Sequence, residues 1–129
     1  MPLRDWIKYS NQAAQDATTF ARNAAQSNSG DSQFLRHGLA WITTYAEALT
    51  QVAQLIPRLV EDNKCTTLEE DLTHILFGEY LNQLIGGVAM SQSEIIRPHD
   101  FGLDGFEAFK SEACQYFIKN GNTAKRRFN

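Results

Sequence analysis

The chain has 129 residues, enough for one domain that buries a core without disulfides or metal ions as staples. Its 12 basic and 15 acidic residues leave a net charge of -3, so the composition does not favour nucleic acid as a partner. No apolar run approaches the length of a membrane span, and charge near the amino terminus argues against a signal peptide. A cytoplasmic location without membrane contact is therefore expected.

The first predicted helix covers residues 6–25. Apolar residues recur there every three or four positions and many are alanines, a pattern typical of an amphipathic helix that a neighbour can approach closely. Residues 27–32 combine a glycine with Ser, Asn and Asp, whose side chains bond their own backbone. The helix should therefore stop there, and Asp31 or Ser32 should cap the next one.

The second predicted helix, about residues 34–61, carries the clearest pattern of the chain. Its apolar positions alternate spacings of four and three, as expected for a helix in a bundle. These positions are Leu35, Leu39, Ile42, Ala46, Leu49, Ala53, Ile56 and Val60. Pro57 removes a backbone donor, which predicts a bend between residues 53 and 57.

The third predicted helix begins at a capping box, in which Thr67 and Glu70 satisfy two backbone donors. Its apolar residues, between positions 68 and 85, cover an arc too wide for one neighbour, so we expect burial on two sides. Helices two and three are predicted to form a central antiparallel pair. Gly86 and Gly87 then end the helix or let another backbone come close.

Residues 86–102 are predicted to form a long ordered connection, with at most a short helix at residues 91–96. A last helix is predicted from about residue 105 to residue 120, with Asp104 as its cap. The fold class is therefore all-α: a four-helix bundle-like domain of orthogonal or antiparallel helices that occupies residues 1–121.

The end of the chain shows no helical pattern. Asn120 and Gly121 are predicted to stop the last helix in a left-handed conformation. Residues 122–129, including the basic cluster at 125–127, are then expected to be a frayed tail that ends as though cut short.

Few residue patterns indicate chemistry. Asp71 and His74 lie three apart, as carboxylate and imidazole ligands do in di-iron helical bundles. The further acid and histidine pairs of such a site are missing, so no metal site is predicted and His74 is expected on a polar face. Glu79 and Glu94 flank the two glycines as a conceivable acid and base, but solvated or capping roles are favoured. No catalytic residue is predicted.

Cys65 and Cys114 have neither metal-site spacing nor a secreted context. Reduced thiols are favoured, and a disulfide between them is the less favoured alternative.

Aromatic residues at helical spacing either fill the core or line a contact surface. Core positions are favoured, although apolar surface in excess of what the domain can cover predicts an interface. Arg97 lies before a proline in the irregular segment, where bracing of the loop to Asp100 is favoured over ligand binding. The residues predicted for a contact surface are Trp41, Phe77, Tyr80, Arg97 and Phe101.

Three blocks of sequence resemble the amino-terminal helical region of a bacterial branch of acyl-CoA dehydrogenase-like flavoproteins. They are residues 35–49, residues 77–87, and residues 90–98 with Met90-Ser91-Gln92, Glu94-Ile95 and Arg97-Pro98. The resemblance covers about half the chain. It implies a helical amino-terminal domain of an oxidoreductase of fatty acid metabolism, whose full-length relatives bind FAD and use a glutamate base.

The chain departs from that family in length. It has no room for a middle β domain or a carboxy-terminal bundle, and no residue matches the catalytic glutamate, so no cofactor is expected in this chain alone. The implied role is structural, or a wall beside the substrate. The alternative is a stand-alone helical interaction module. The implied partners are a second copy of the chain or the missing flavoprotein domains.

Overall fold

Helices dominate the computed structural model, which describes residues 5–27, 32–91 and 93–128. The all-α class is confirmed, with a small two-stranded sheet added to it. The elements are α1 Asp5–Gln26, α2 Gln33–Glu61, α3 Thr67–Gly86, β1 Val88–Ser91, β2 Glu94–Ile96, a 3-10 helix Pro98–Phe101, α4 Gly105–Ala108, α5 Glu112–Asn120 and α6 Ala124–Arg127. None of these helices is long and apolar enough to cross a membrane.

Helix α1 packs most extensively against α2 and also against α5. Its buried face is built largely from alanines, whose small side chains let neighbouring backbones come close. The predicted central pairing of helices two and three is wrong, because α2 packs mainly against α1 and α3 packs mainly against α5. Phe20 of α1 also contacts Phe109, with ring centroids 5.1 Å apart.

Helix α2 follows its predicted pattern, with Ile42, Leu49 and Ile56 buried on one side. The hydroxyl of Ser32 accepts a hydrogen bond from the Leu35 N–H at 3.2 Å and so caps the helix, whereas Asp31 lies outside the described residues. Pro57 does not end the helix, which continues to Glu61. The bend near this proline remains a prediction.

Helix α3 begins one residue earlier than the predicted capping box. The Thr66 hydroxyl accepts from the Leu68 N–H at 3.2 Å, and the Glu69 carboxylate accepts from the Thr66 N–H at 2.8 Å. The extended backbone of Thr66 allows this exchange, which the sequence spacing alone placed at Thr67 and Glu70. The expected burial on two sides fails at the start of the helix, where Leu68 and Leu72 are 62% and 56% exposed.

A β-hairpin replaces the short helix predicted at residues 91–96. Gly87 ends α3 with a φ of 140°, and Val88 then pairs with Ile96 across an antiparallel ladder. Ile96 packs directly on Gly38 of α2, where a Cβ atom would lie 2.4 Å from Ile96 Cγ1. Apolar side chains from β1 and β2 therefore extend the core instead of forming a helical face.

The predicted last helix is broken into α4 and α5. The Ser111 hydroxyl caps α5 by accepting from the Cys114 N–H at 3.2 Å, which ends helical continuity just before it. Asp104 caps α4 as predicted, and Phe106 of this helix is 80% exposed. Gly121 has a φ of -74°, so the predicted left-handed stop is wrong.

The carboxy-terminal segment is not the frayed tail that the sequence predicted. Thr123 caps the short helix α6, and the Arg126 guanidinium donates to Asp71 Oδ1 at 2.7 Å and to the Asn120 carbonyl at 3.0 Å. Both charged side chains of the ion pair are mostly shielded from solvent. Tertiary contacts therefore order a helix too short to form alone.

Candidate functional site

His74 lies in the core and not on the polar face predicted for it. Its exposed fraction is 0%. Three aromatic rings surround the imidazole: Trp6 of α1 at a centroid distance of 5.3 Å, and Tyr116 and Phe117 of α5 at 5.5 and 5.3 Å. This residue therefore joins α1, α3 and α5 at one point.

Both ring nitrogens of His74 have hydrogen-bond partners. Nδ1 lies 2.7 Å from the Glu70 carbonyl oxygen, which can only accept, so we assign the proton to Nδ1. Nε2 then accepts from the Tyr116 hydroxyl at 2.7 Å. Burial lowers the pKa of His74 from 6.5 to about 4, and the nearby charge of Arg126 acts in the same direction. The imidazole is therefore neutral at pH 7 and serves the packing of three helices.

Asp71 and His74 do not form a metal site. The Asp71 carboxylate pairs with Arg126, while His74 points into the aromatic cluster. No group of three or more His, Cys, Asp or Glu side chains in the described ranges could hold a metal ion. Asp71 and His74 therefore make separate structural contacts, although they are neighbours on α3.

A second cluster joins α2 to α3 by aromatic and polar side chains, and we call it the aromatic–polar face: Trp41, Tyr45, Glu79, Tyr80 and Gln83. The rings of Tyr45 and Tyr80 stack at a centroid distance of 4.2 Å, and Trp41 meets Tyr45 edge-on at 6.3 Å. The Tyr45 hydroxyl donates to Gln83 Oε1 at 2.6 Å. Burial raises the pKa of Tyr45, so its hydroxyl stays a donor at neutral pH.

Glu79 continues this network toward the carboxy terminus. Its two carboxylate oxygens accept from Gln83 Nε2 and from Asn122 Nδ2, each at 2.8 Å. Glu94 is exposed and accepts from the Ser91 hydroxyl at 3.1 Å. Glu79 and Glu94 thus have separate structural partners, and neither set of contacts brings the two carboxylates together as an acid and a base.

The predicted contact residues fall into two groups. Phe77 and Phe101 are 0% and 6% exposed, so they lie in the core of the described fold. Trp41 and Tyr80 are half-buried and Arg97 is exposed. These three remain accessible to a partner.

Arg97 braces its loop through the backbone. Its N–H donates to Asp100 Oδ2 at 2.8 Å at the start of the 3-10 helix. Asp100 is thus the predicted partner of Arg97. The bond uses the backbone N–H of Arg97 and not its guanidinium. The side chain runs beside Gly87, where a Cβ atom would lie 3.3 Å from Arg97 Cγ.

Cys114 is buried at the junction of α5 with α1. Its thiol donates to Asp16 Oδ2 at 3.3 Å, and the Ser111 hydroxyl donates to the same oxygen at 2.6 Å. Burial raises the pKa of the Cys114 thiol to about 12. It is therefore a structural thiol and not a nucleophile.

The chain is similar in sequence to an acyl-CoA dehydrogenase. The relative is (2S)-methylsuccinyl-CoA dehydrogenase from Cereibacter sphaeroides, to which it is 37% identical over 97 residues. The match covers 75% of this chain but only 17% of that enzyme. No family model matches the chain. The similarity supports the resemblance indicated by the sequence blocks.

Proposed function

We propose that the chain acts as a helical domain of an acyl-CoA dehydrogenase-like flavoprotein, and that it supplies packing or a wall beside the substrate instead of catalytic groups. The observation that carries the proposal is the 37% identity to such an enzyme over 75% of the chain. The satisfied polar clusters agree with a structural role. His74 is hydrogen-bonded to Tyr116 of α5, and Glu79 is hydrogen-bonded to Asn122 in the segment between α5 and α6.

We infer that this domain does not hold the flavin of the family by itself. Every buried side-chain nitrogen or oxygen in the described ranges already has a hydrogen-bond partner within the chain. The buried polar groups of the two clusters are therefore already engaged within the chain and give no support for binding of an isoalloxazine ring or a pyrophosphate. In this proposal, FAD is held by the rest of the flavoprotein, and no catalytic step is assigned to this chain.

We assign the contact with the rest of the flavoprotein to the aromatic–polar face. Half-buried Trp and Tyr side chains are enriched at protein interfaces, because each combines a large apolar area with a polar group. Trp41 and Tyr80 belong to the two sequence blocks that resemble the flavoproteins, residues 35–49 and 77–87. Those blocks meet in the fold at the stacked Tyr45 and Tyr80 rings.

The alternative is a stand-alone helical interaction module. It is favoured by the core that the described residues build for themselves, with fully buried side chains such as Phe20, Leu49, Phe77 and Phe117. A domain with its own core can fold and act without the remainder of an enzyme.

The genomic sequence beyond residue 129 separates these two proposals. A reading frame that continues into a flavoprotein, or an adjacent flavoprotein gene, supports the first. A stop codon with neither supports the interaction module. Purified alone, the chain should neither bind FAD nor oxidise an acyl-CoA with an artificial electron acceptor, and measurable turnover would overturn the structural role.

A binding experiment then tests the assigned face. The chain is titrated with the flavoprotein part identified in this way, and the fluorescence of Trp41 is followed in a Trp6→Phe variant. Tyr80→Ala should raise the dissociation constant at least about tenfold, the effect of removing an interface aromatic. Leu55→Ala, which removes an exposed side chain elsewhere on the surface, is the matched control and should change nothing. Equal affinity for both variants would refute the assignment.

A further inference from the structure

Phe106 projects from an ordered part of the surface. Its side chain is 80% exposed, yet the backbone around it is well bonded. Asp104 Oδ1 accepts from the Phe106 N–H at 2.9 Å, and the Leu103 N–H donates to the Pro98 carbonyl at 3.0 Å. Gly105 packs so closely that a Cβ atom would lie 2.9 Å from Pro98 Cγ. The backbone at Phe106 is therefore ordered, and it presents the phenyl ring to solvent.

A groove of about 330 Å³ lies beside this ring, between the end of α3 and the 3-10 helix. Apolar side chains form much of its lining, with Arg97 among the lining residues: Ile85, Arg97, Pro98, Leu103 and Phe106 itself. A cavity of about 150 Å³ suffices for a benzene ring, so the groove can receive a phenyl side chain. The surface thus carries a projecting ring and a site for such a ring side by side.

The same patch carries both signs of charge. Arg97 is exposed on the groove, and Glu107 follows Phe106 on α4 with a 66% exposed side chain, whose carboxylate also pairs with Lys110 at 2.5 Å. A surface with a projection next to a matching groove, and a cation next to an anion, is complementary to itself under a two-fold rotation.

We propose that a second copy of this chain docks on this patch. Each Phe106 enters the groove of the other copy, and Arg97 of each copy faces Glu107 of the other. This inference does not depend on the proposed function and uses a surface separate from the aromatic–polar face.

Sedimentation equilibrium of the full chain between roughly 5 and 500 µM tests the proposal, because a small contact is expected to give micromolar association. Phe106→Ser should raise the dimer dissociation constant at least about tenfold. Phe128→Ser is the matched control, since Phe128 is equally exposed at 83% but does not line the groove. A monomer at every concentration, or equal effects of the two variants, would overturn the proposal.

A charge exchange tests the arrangement of the two copies. Arg97→Glu places two like charges together in each contact, and so does Glu107→Arg, so each variant alone should associate at least several-fold more weakly. An equimolar mixture of the two variants should form a heterodimer as tight as the wild-type dimer, because both contacts then join opposite charges. A mixture no tighter than its components would refute this arrangement.

The outcome is distinguishable from that of the proposed function. Tyr80→Ala should leave the dimer unchanged, and Phe106→Ser should leave binding to the flavoprotein unchanged. A chain that is monomeric and uses Phe106 to bind the flavoprotein would overturn the docking of a second copy.

Discussion

The buried His74 makes the stability of the fold depend on pH. Its pKa is about 4 in the folded chain, because burial penalises the charged imidazole, against an ordinary value of 6.5. Between these values the unfolded chain binds a proton that the folded chain excludes, so the free energy of unfolding falls as the pH falls. The contribution of His74 is fully present above pH 6.5 and is lost as the pH approaches 4.

The size of the loss follows from the two pKa values. They differ by roughly 2.5, and each unit corresponds to 1.36 kcal/mol, so the maximal loss is roughly 3 kcal/mol. Protonation would also place a donor at Nε2, where the Tyr116 hydroxyl now donates at 2.7 Å. A loss of this size is a large part of the stability of a small domain.

Urea denaturation at pH 7.0 and pH 4.5 measures this effect. His74→Gln has no titrating imidazole, so it should be less stable than wild type at pH 7 but lose less stability on acidification. The carboxylates titrate in both proteins, and the comparison with wild type removes their shared contribution. An equal loss in the two proteins would refute the assignment of the pH dependence to His74.

A direct titration avoids any effect of the substitution on folding. The imidazole C–H signals of wild-type protein are followed by NMR from pH 8 to pH 4, and the variants His37→Gln and His99→Gln assign the other two signals. The remaining signal should stay at its neutral position down to about pH 5. A midpoint near 6.5 would show that the ring is hydrated or that its partners differ.

Three further outcomes follow from the packing. Ile42→Ala empties a site that is 2% exposed and should cost about 2–5 kcal/mol in urea melts, against under about 0.5 kcal/mol for the exposed Gln51→Ala. Gly78→Ala places a Cβ atom 2.7 Å from a backbone nitrogen and should cost about 1–3 kcal/mol, whereas Gly86→Ala meets nothing within 4 Å and should be neutral or stabilising. In a Cys65→Ser background, the buried Cys114 thiol, with its pKa raised to about 12, should not react with a disulfide reagent at pH 8 until the protein is unfolded.

For each of these three predictions, one result would contradict it. Equal midpoints for Ile42→Ala and Gln51→Ala would place the wrong face of α2 in the core. A stabilising Gly78→Ala would show that α3 and α5 are farther apart than the structure has them. Rapid reaction of Cys114 in the native protein would show that its contact with Asp16 opens in solution.

The long helices could be predicted because local pattern and tertiary burial agree in them. The apolar positions of α2 repeat at spacings of four and three, and the central residues of that seam, from Ile42 to Ile56, are buried. A pattern of this length decides both the helix and its buried face. It does not decide which helix lies against it, and so the pairing of α2 with α3 was predicted wrongly.

His74 was assigned to a polar face because of its residue type, although its position carried the opposite signal. The buried residues of α3 include His74, Phe77, Leu81 and Leu84, which repeat at spacings of three, four and three. The imidazole thus continues the apolar stripe of the helix. What the sequence could not supply was Tyr116, whose hydroxyl satisfies Nε2 from 42 positions away.

The break between α4 and α5 and the order of the carboxy-terminal segment depend on contacts between distant residues. Ser111 can cap a helix or lie within one, and its hydroxyl is held by Asp16 on α1 as well as capping α5. Arg126 similarly lies in a stretch without a helical pattern, and the contact that holds it is the ion pair with Asp71. A local sequence pattern cannot reveal either contact, because 95 positions separate Ser111 from Asp16 and 55 positions separate Arg126 from Asp71.

Phe106 shows what such a break means for the surface of the domain. In one continuous helix over residues 105–120, Phe106 would share a buried stripe with Phe109 and Ala113. The break before Ser111 leaves Phe109 at 0% exposure and turns Phe106 outward to 80%. The same contacts that cap α5 therefore leave an exposed ring on an ordered backbone beside an apolar groove, so a partner could bury this ring with little loss of backbone order.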